Sequence, residues 1–262
     1  MTSNGLKADF FQRLRTCKQA VLLLDFDGTL SPFTMDRDNP KIYPDVVKTL
    51  QQIVHGRATR VIFISGRSAQ DLCAILHRYS LDCEIWGVHG RERRLADGRY
   101  VCLQDFYQAA KLLAAAWPLL EREGIRGFAE RKTTSIAVHW RGLAPEVQKD
   151  IRTAALRAFS ACRTKIDCRI LEFDHGIELL LGKRDKGDVI RTILNEAPTE
   201  TPITYLGDDL TDEDAFVVLR DFGLTVLVRP EYRPTSAEMW IKPPAALIDF
   251  LKLWLASCGG ES

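Results

Sequence analysis

Val21-Leu22-Leu23-Leu24 is an unbroken apolar run, closed by Asp25 and followed by Phe26-Asp27-Gly28-Thr29-Leu30. The run is too short for a helix and lacks the alternation of a half-exposed strand. It therefore reads as a strand buried on both faces of a parallel sheet. Two carboxylates two residues apart then stand at the carboxyl end of that strand, where open α/β sheets collect their ligands. Gly28 permits a turn, and the N–H groups of the loop suit a phosphate oxygen. A plain strand-to-turn exit uses the same residue types, so the rest of the chain has to decide between the two.

The strand–helix rhythm continues. Helices are predicted over 7–18, 44–55 and 68–79, with buried strands at 60–64 and 84–88. After about residue 105 the rhythm changes to a helix (106–122), strands around 126–131 and 134–140, a helix (145–162) and strands at 168–173 and 176–181. From Lys186 the first pattern returns, with helix 187–196, strand 203–206, helix 212–222, strand 224–228 and helix 245–255. The expected fold is α/β. A Rossmann-like parallel sheet core, residues 1–105 and 183–262, carries an inserted small α+β unit over 106–182.

Composition narrows the class. The 262 residues include 36 Lys+Arg and 35 Asp+Glu, a balance that argues against general electrostatic capture of nucleic acid or an anionic membrane. The longest apolar stretch, Leu112 to Leu120, is nine residues long and contains Pro118, too short to cross a bilayer, which needs about 20. The first residues show no apolar segment of a secretory signal. The seven cysteines are scattered, with no C-x-x-C pair, so neither a disulfide framework nor a thiolate zinc site is expected. A reducing cytoplasm is the simplest setting.

Three further segments carry chemistry. Gly207-Asp208-Asp209-Leu210-Thr211-Asp212-Glu213-Asp214 follows another buried strand. Read as a helix start, Thr211 would be the N-cap and Asp214 its capping-box partner, which leaves Asp208 and Asp209 without a purpose. Carboxylates this dense repel one another unless a cation sits among them. Mg²⁺, bound by one or two carboxylates, water and a phosphate, fits best. Ser65-Gly66-Arg67 closes the second strand with a hydroxyl and strand-end N–H groups that suit a phosphate, or with an ordinary turn. Lys183-Arg184-Asp185-Lys186-Gly187 precedes a helix, where a lysine neutralises phosphate charge or simply decorates a solvated turn.

In this order, the segments resemble the haloacid dehalogenase-like phosphatases, whose pattern is D-x-D, then Ser or Thr, then Lys, then G-D-x-x-x-D. The resemblance implies that Asp25 is a nucleophile forming an aspartyl-phosphate and that Asp27 is the general acid and base. It implies that Ser65 and Lys186 grip the phosphoryl oxygens, with Gly66 and Arg67 beside them. Mg²⁺ would be held by Asp25, the Asp27 backbone carbonyl and Asp208, with Asp212 or Asp209 supporting through water. Phosphoryl transfer of this kind depends on in-line positioning and charge neutralisation.

A narrower likeness is carried by Ser31-Pro32-Phe33, Gly87-Val88-His89-Gly90-Arg91-Glu92, Glu130-Arg131-Lys132, Ser135 to Arg141, Glu178 and Thr235 to Trp240. These resemble trehalose-6-phosphate phosphatases. The insert would then be a cap closing over the sugar, with Glu130, Lys132 and Glu178 on glucose hydroxyls; a cross-strand ion pair is the competing reading of these residues. His89 is a helper or a structural histidine, and His139 and Arg141 are given no role. One departure is Leu179 to Arg184, where the family carries a basic residue and Pro. It leaves Lys183 as a second candidate beside Lys186. The implied reaction is hydrolysis of trehalose 6-phosphate to trehalose and phosphate, with a trehalose-6-phosphate synthase as a protein partner. Alternatives are a phosphatase of a mannosyl- or glucosylglycerate phosphate, a phosphotransferase, or a non-catalytic module that binds a sugar phosphate or a synthase.

Overall fold

The computed structural model describes residues 3–32, 39–56, 58–103, 106–132, 134–163 and 166–258. Phe33 lies outside them. Its strands in chain order are β1 (Ala20–Leu24), β2 (Thr59–Ile64), β3 (Glu84–Gly87), β4 (Glu92–Arg94), β5 (Tyr100–Cys102), β6 (Ala129–Arg131), β7 (Ser135–His139), β8 (Cys168–Phe173), β9 (Gly176–Leu181), β10 (Ile203–Gly207), β11 (Leu224–Val228) and β12 (Met239–Ile241). The helices are α1 (Ser3–Thr16), α2 (Pro44–His55), α3 (Ala69–His77), α4 (Phe106–Arg122), α5 (Pro145–Arg163), α6 (Lys186–Glu196), α7 (Glu213–Leu219) and α8 (Ala245–Cys258). The chain divides into two compact units, Met1–Val101 with Asp185–Ser262, and Cys102–Arg184.

The first unit is built on a sheet of order β12-β11-β10-β1-β2-β3-β4-β5. From β12 to β3 every pairing is parallel, and β4 is antiparallel to β3. Both faces are buried, as the apolar runs require. Leu22, Leu24, Val61 and Phe63 pack with Phe10, Val46, Leu72 and Trp254. The alternate residues Val21, Leu23, Ile62 and Ile64 pack with Val189 and Phe216. The chain runs outward in one direction through β1, β2 and β3 and in the other through β10, β11 and β12. The order therefore reverses between β1 and β10, the place where doubly wound sheets open a crevice at their carboxyl ends. Asp25 and Asp208 are the first residues beyond those two strands.

The second unit is a four-stranded antiparallel sheet of order β6-β7-β9-β8 with α4 and α5. One face is apolar: Ile136, Val138, Ile177, Leu179 and Leu181 share a cluster with Leu112, Ala116, Ala155 and Phe159 of the helices. Glu172 falls on that side by register and is held by Arg152 of α5 at 2.7 and 2.9 Å. The opposite face carries Glu130, Ser135, Ala137, His139 and Glu178, since directly paired residues of antiparallel strands point the same way.

Four sequence expectations change. Strands β4, β5 and β12 are three residues each, too short to leave a periodicity, and β4 is Glu-Arg-Arg; its residues are held by charge, with the Glu92 carboxylate accepting from the Ala69 N–H at 2.7 Å and Arg93 from β4 donating to Glu84 at 2.9 Å. The segment expected as strand over 126–131 begins as a 3₁₀ turn, Arg126–Phe128, and extends only from Ala129. The helix expected over 212–222 is α7, Glu213–Leu219, preceded by a 3₁₀ turn, Leu210–Asp212. The cap of that turn is Asp209 and not Thr211. Asp209 accepts from the Leu210 N–H at 2.7 Å, and Asp212 accepts from the Asp209 N–H at 2.9 Å. Either hydroxyl or carboxylate caps a helix, and the tight turn after Gly207 brings Asp209 into position first.

Candidate active site

The register of the sheet places the sequence motifs side by side. Leu24 of β1 pairs with Leu206 of β10 on one side and Phe63 of β2 on the other. The Asp25 N–H continues the ladder to the Leu206 carbonyl at 2.9 Å. Gly28, at φ 89°, turns the chain after β1, and its N–H reaches the Ser31 carbonyl at 2.7 Å. That conformation is costly for any residue with a Cβ.

Lys186 comes from the first turn of α6. Asp185 caps that helix through a reciprocal box with Asp188, which sets the lysine at the first helical position, facing inward. It is 2% exposed, and its Nζ donates to Asp25 Oδ1 at 2.7 Å and to Asp212 Oδ1 at 2.5 Å. Lys183, the other candidate from sequence, is exposed. Asp212 is fully engaged: its Oδ2 also accepts from the N–H groups of Asp208 and Asp209, both at 2.9 Å, and the Tyr205 hydroxyl donates to Oδ1.

Asp25 (5% exposed), Asp208 (1% exposed) and Asp212 present carboxylate oxygens that all lie within 4.8 Å of one another. Three carboxylates face one ammonium, and the imbalance appears in their acidities. Burial raises Asp25 to about 7; the Lys186 charge opposes this, and the charges of Asp212 and Asp27 add to it. Burial and the neighbouring charge of Asp25 raise Asp208 well above the carboxylate range. Burial works in the same sense on Asp212, but Lys186 and its hydrogen-bond donors outweigh it and hold that carboxyl below its ordinary value. For Lys186 the order is reversed: burial would lower it, and the charges of Asp212 and Asp25 raise it.

Thr29 reports the same imbalance. Its hydroxyl lies 3.2 Å from both Asp25 Oδ2 and Asp208 Oδ1. One hydroxyl has one proton to give, so both contacts are hydrogen bonds only when one of the two acids is protonated. Among the described residues, Asp208 Oδ2 is buried without a hydrogen-bond partner. Buried orphan carboxylate oxygens are costly, and this donor set of hard oxygens suits a divalent cation, whose two charges match the excess.

Asp27 stands apart from that cluster. Arg67 holds it with a bidentate fork, Nε to Oδ2 at 2.7 Å and Nη2 to Oδ1 at 2.8 Å. Ser65 is buried; its hydroxyl accepts from the Arg67 N–H at 3.1 Å. Gly66 lets the His89 ring approach: a Cβ at residue 66 would lie 2.8 Å from ring atoms Cε1 and Nε2. His89 itself has φ 53°, and its N–H donates to the Ser65 carbonyl at 2.9 Å. It braces the loop that follows β2.

In the second unit, Glu178 is 1% exposed and accepts from Lys132 Nζ at 3.0 Å and from the Ser135 hydroxyl at 2.5 Å. Glu130 is bound differently, to His139 Nε2 at 2.8 Å. Cross-strand pairs are therefore present, and they join Glu130 and Lys132 to separate partners.

Thr29 and Tyr205 belong to the site, and the sequence reading assigns neither of them a role. Thr29 stood inside the D-x-D-G-T motif and was recognisable there. No local signal distinguishes Tyr205 from any other aromatic residue in a buried strand.

A family model described as trehalose-phosphatase matches residues 23–240. The trehalose-phosphate phosphatase of Mycobacterium tuberculosis is 31% identical over 257 residues, covering 89% of this chain and 60% of that protein. The chain thus spans about 60% of the length of the curated relatives it matches. The C-terminal domain of C. albicans trehalose-6-phosphate phosphatase superposes with a TM-score of 0.81 at 20% identity, covering 95% of this chain and 96% of that one. A haloacid dehalogenase-like hydrolase from B. subtilis does so with a TM-score of 0.61 at 14% identity, covering 89% and 99%. Both share the fold.

Proposed function

The chain belongs to the trehalose-phosphatase family, and from that premise we propose that it hydrolyses trehalose 6-phosphate to trehalose and phosphate. The observation that carries this reading is the Asp25 carboxylate, buried at the end of β1 and held by Lys186 at 2.7 Å beside Asp208. Asp25 attacks phosphorus as the bond to the sugar oxygen breaks, giving an aspartyl-phosphate. Asp27 protonates the departing alkoxide and then takes a proton from the water that attacks the intermediate. Arg67 releases Asp27 as its fork turns to the phosphoryl oxygens, which Ser65, the Gly66 N–H and Lys186 also bind.

Asp25, the Asp27 backbone carbonyl and Asp208 would hold Mg²⁺. When bound, the ion supplies neutralising charge to the phosphoryl oxygens. Asp212 organises the cluster by holding Lys186 and the N–H groups of Asp208 and Asp209. The sugar hydroxyls are read by Glu130, Lys132 and Glu178 of the second unit. The seven cysteines are free thiols, which supports residence in the cytoplasm.

Phosphate release from a panel of sugar phosphates in the presence of Mg²⁺ tests the reading. Trehalose 6-phosphate is expected to give the highest kcat/KM. A mannosyl- or glucosylglycerate phosphate turned over faster would reassign the substrate, and release independent of added divalent ion in a chelated sample would remove the metal.

Two further outcomes are expected. Because the folded-state pKa values of Asp25 and Asp208 are raised, their contribution to stability is complete below the unfolded carboxylate value. It is lost as pH rises through the folded value, about 7 for Asp25. Mg²⁺ displaces those protons, so its stabilising shift of Tm should be larger at pH 8 than at pH 6; an equal or reversed shift in calorimetry would contradict the donor set. Glu130→Gln should raise KM for trehalose 6-phosphate about 10-fold, the worth of one hydrogen bond to a charged group. The same variant should leave kcat/KM for p-nitrophenyl phosphate within about twofold. An equal effect on both substrates would remove Glu130 from sugar recognition.

A further inference from the structure

We propose that Arg233 is a positioning residue of the acidic cluster, clamping the backbone of Asp208 and Asp209 so that the Asp208 carboxylate is aimed at the cation site. The inference rests on the reading that Asp208 holds a divalent cation. Arg233 lies between β11 and β12, far in sequence from the segment it serves. Its Nε and Nη2 each donate to the Asp208 carbonyl at 3.3 Å, and Nη2 donates to the Asp209 carbonyl at 2.7 Å. Arg229 adds a donor to the Asp208 carbonyl, also at 3.3 Å.

The clamp is itself anchored. Arg233 Nη1 donates to Glu213 and, at 3.0 Å, to the Pro234 carbonyl. Glu213 also accepts from the Thr235 hydroxyl at 2.8 Å and the Ser236 N–H at 2.7 Å. The guanidinium is thus tied at both ends, and its side chain is 15% exposed.

The consequence falls on Asp208. Its N–H is fixed to Asp212 at 2.9 Å and its carbonyl is fixed by two arginines. With both flanking peptides pinned, only the side-chain torsions remain, and the Thr29 hydroxyl restrains Oδ1 at 3.2 Å. Oδ2, buried and without a partner among the described residues, is left for a cation to take. A planar fork with five N–H donors serves three carbonyls and a carboxylate at once, which a single ammonium with three donors cannot do. Its positive charge also lies beside a segment crowded with carboxylates, Asp208 to Asp214.

The test is calorimetric titration of the full chain with Mg²⁺ alone, beside Tm measured with and without Mg²⁺, for wild type, Arg233→Gln and Arg233→Lys. Groups that orient metal ligands typically contribute about 10–100-fold to affinity. Arg233→Gln should raise the Mg²⁺ Kd by that factor and shrink the Mg²⁺-induced rise in Tm. Excess Mg²⁺ should restore much of its turnover. Arg233→Lys should fall between, and it decides the matter if the Gln variant does not fold. A variant whose Tm falls equally with and without Mg²⁺, at unchanged Kd, would show a structural tie only and overturn the inference. Wild type that takes up no Mg²⁺ would instead overturn the cation reading, and the inference with it.

Discussion

Asp25→Asn is expected to reduce phosphate release by at least about 10⁴-fold, the scale on which removing a covalent nucleophile acts. The carboxamide has the shape of the carboxylate but neither its charge nor its nucleophilicity. Lys186 keeps Asp212 as a partner at 2.5 Å, and Thr29 keeps Asp208, so the fold should survive. Unfolding should remain cooperative, with Tm lowered little or even raised at pH 8, because a buried acid with a raised pKa has been replaced by a neutral group. Phosphate release within tenfold of wild type, in a variant of unchanged circular dichroism, would remove Asp25 from the nucleophile's role.

Lys186→Met should act on stability as well as on turnover. The ammonium is buried between Asp25 and Asp212. A methionine fills similar space and leaves the two carboxylates facing each other without a counter-charge. Removing one partner of a buried ion pair costs about 3–5 kcal/mol. The loss should be smaller at pH 5 than at pH 8, since protonation relieves orphaned carboxylates. Combining Lys186→Met with Asp212→Asn should cost less than the sum of the two single changes, as groups in one network do not add. Urea denaturation reads all of this; a midpoint for Lys186→Met equal to wild type at pH 8 would mean that the lysine is not held as described.

Much of this architecture is written along the chain. Val21 to Leu24 could only be buried on both sides, and β1 is buried at every residue. Strands 168–173, 176–181 and 224–228 fall where the apolar spacing puts them. β4 was illegible because charge, not apolar burial, secures it: Arg93 reaches Glu84 and Glu196, and Arg60 of β2 reaches the same two carboxylates. A network of that kind leaves no periodicity to read.

The site divides in the same way. Asp25, Ser65 and Asp208 each follow a buried strand, so their place at the carboxyl ends of strands was readable one strand at a time. Which strands adjoin was not, and the reversal between β1 and β10 is what makes Asp25 and Asp208 neighbours. The helix cap at Asp185 turns Lys186 inward while Lys183 is exposed, a difference that spacing along the chain does not show. The fork of Arg67 on Asp27, the hydroxyl of Thr29 between two acids and the clamp of Arg233 join residues that no spacing rule relates.

By itself, then, the chain determined the kind of fold, the order of its elements and the residue types gathered at each strand end, because burial and turn formation act over a few neighbouring residues. Only the tertiary structure decided which charges meet: Lys186 and Asp25 are 161 positions apart along the chain and 2.7 Å apart in space. Electrostatic and hydrogen-bond energies depend on that second distance and on burial, and not on separation along the chain.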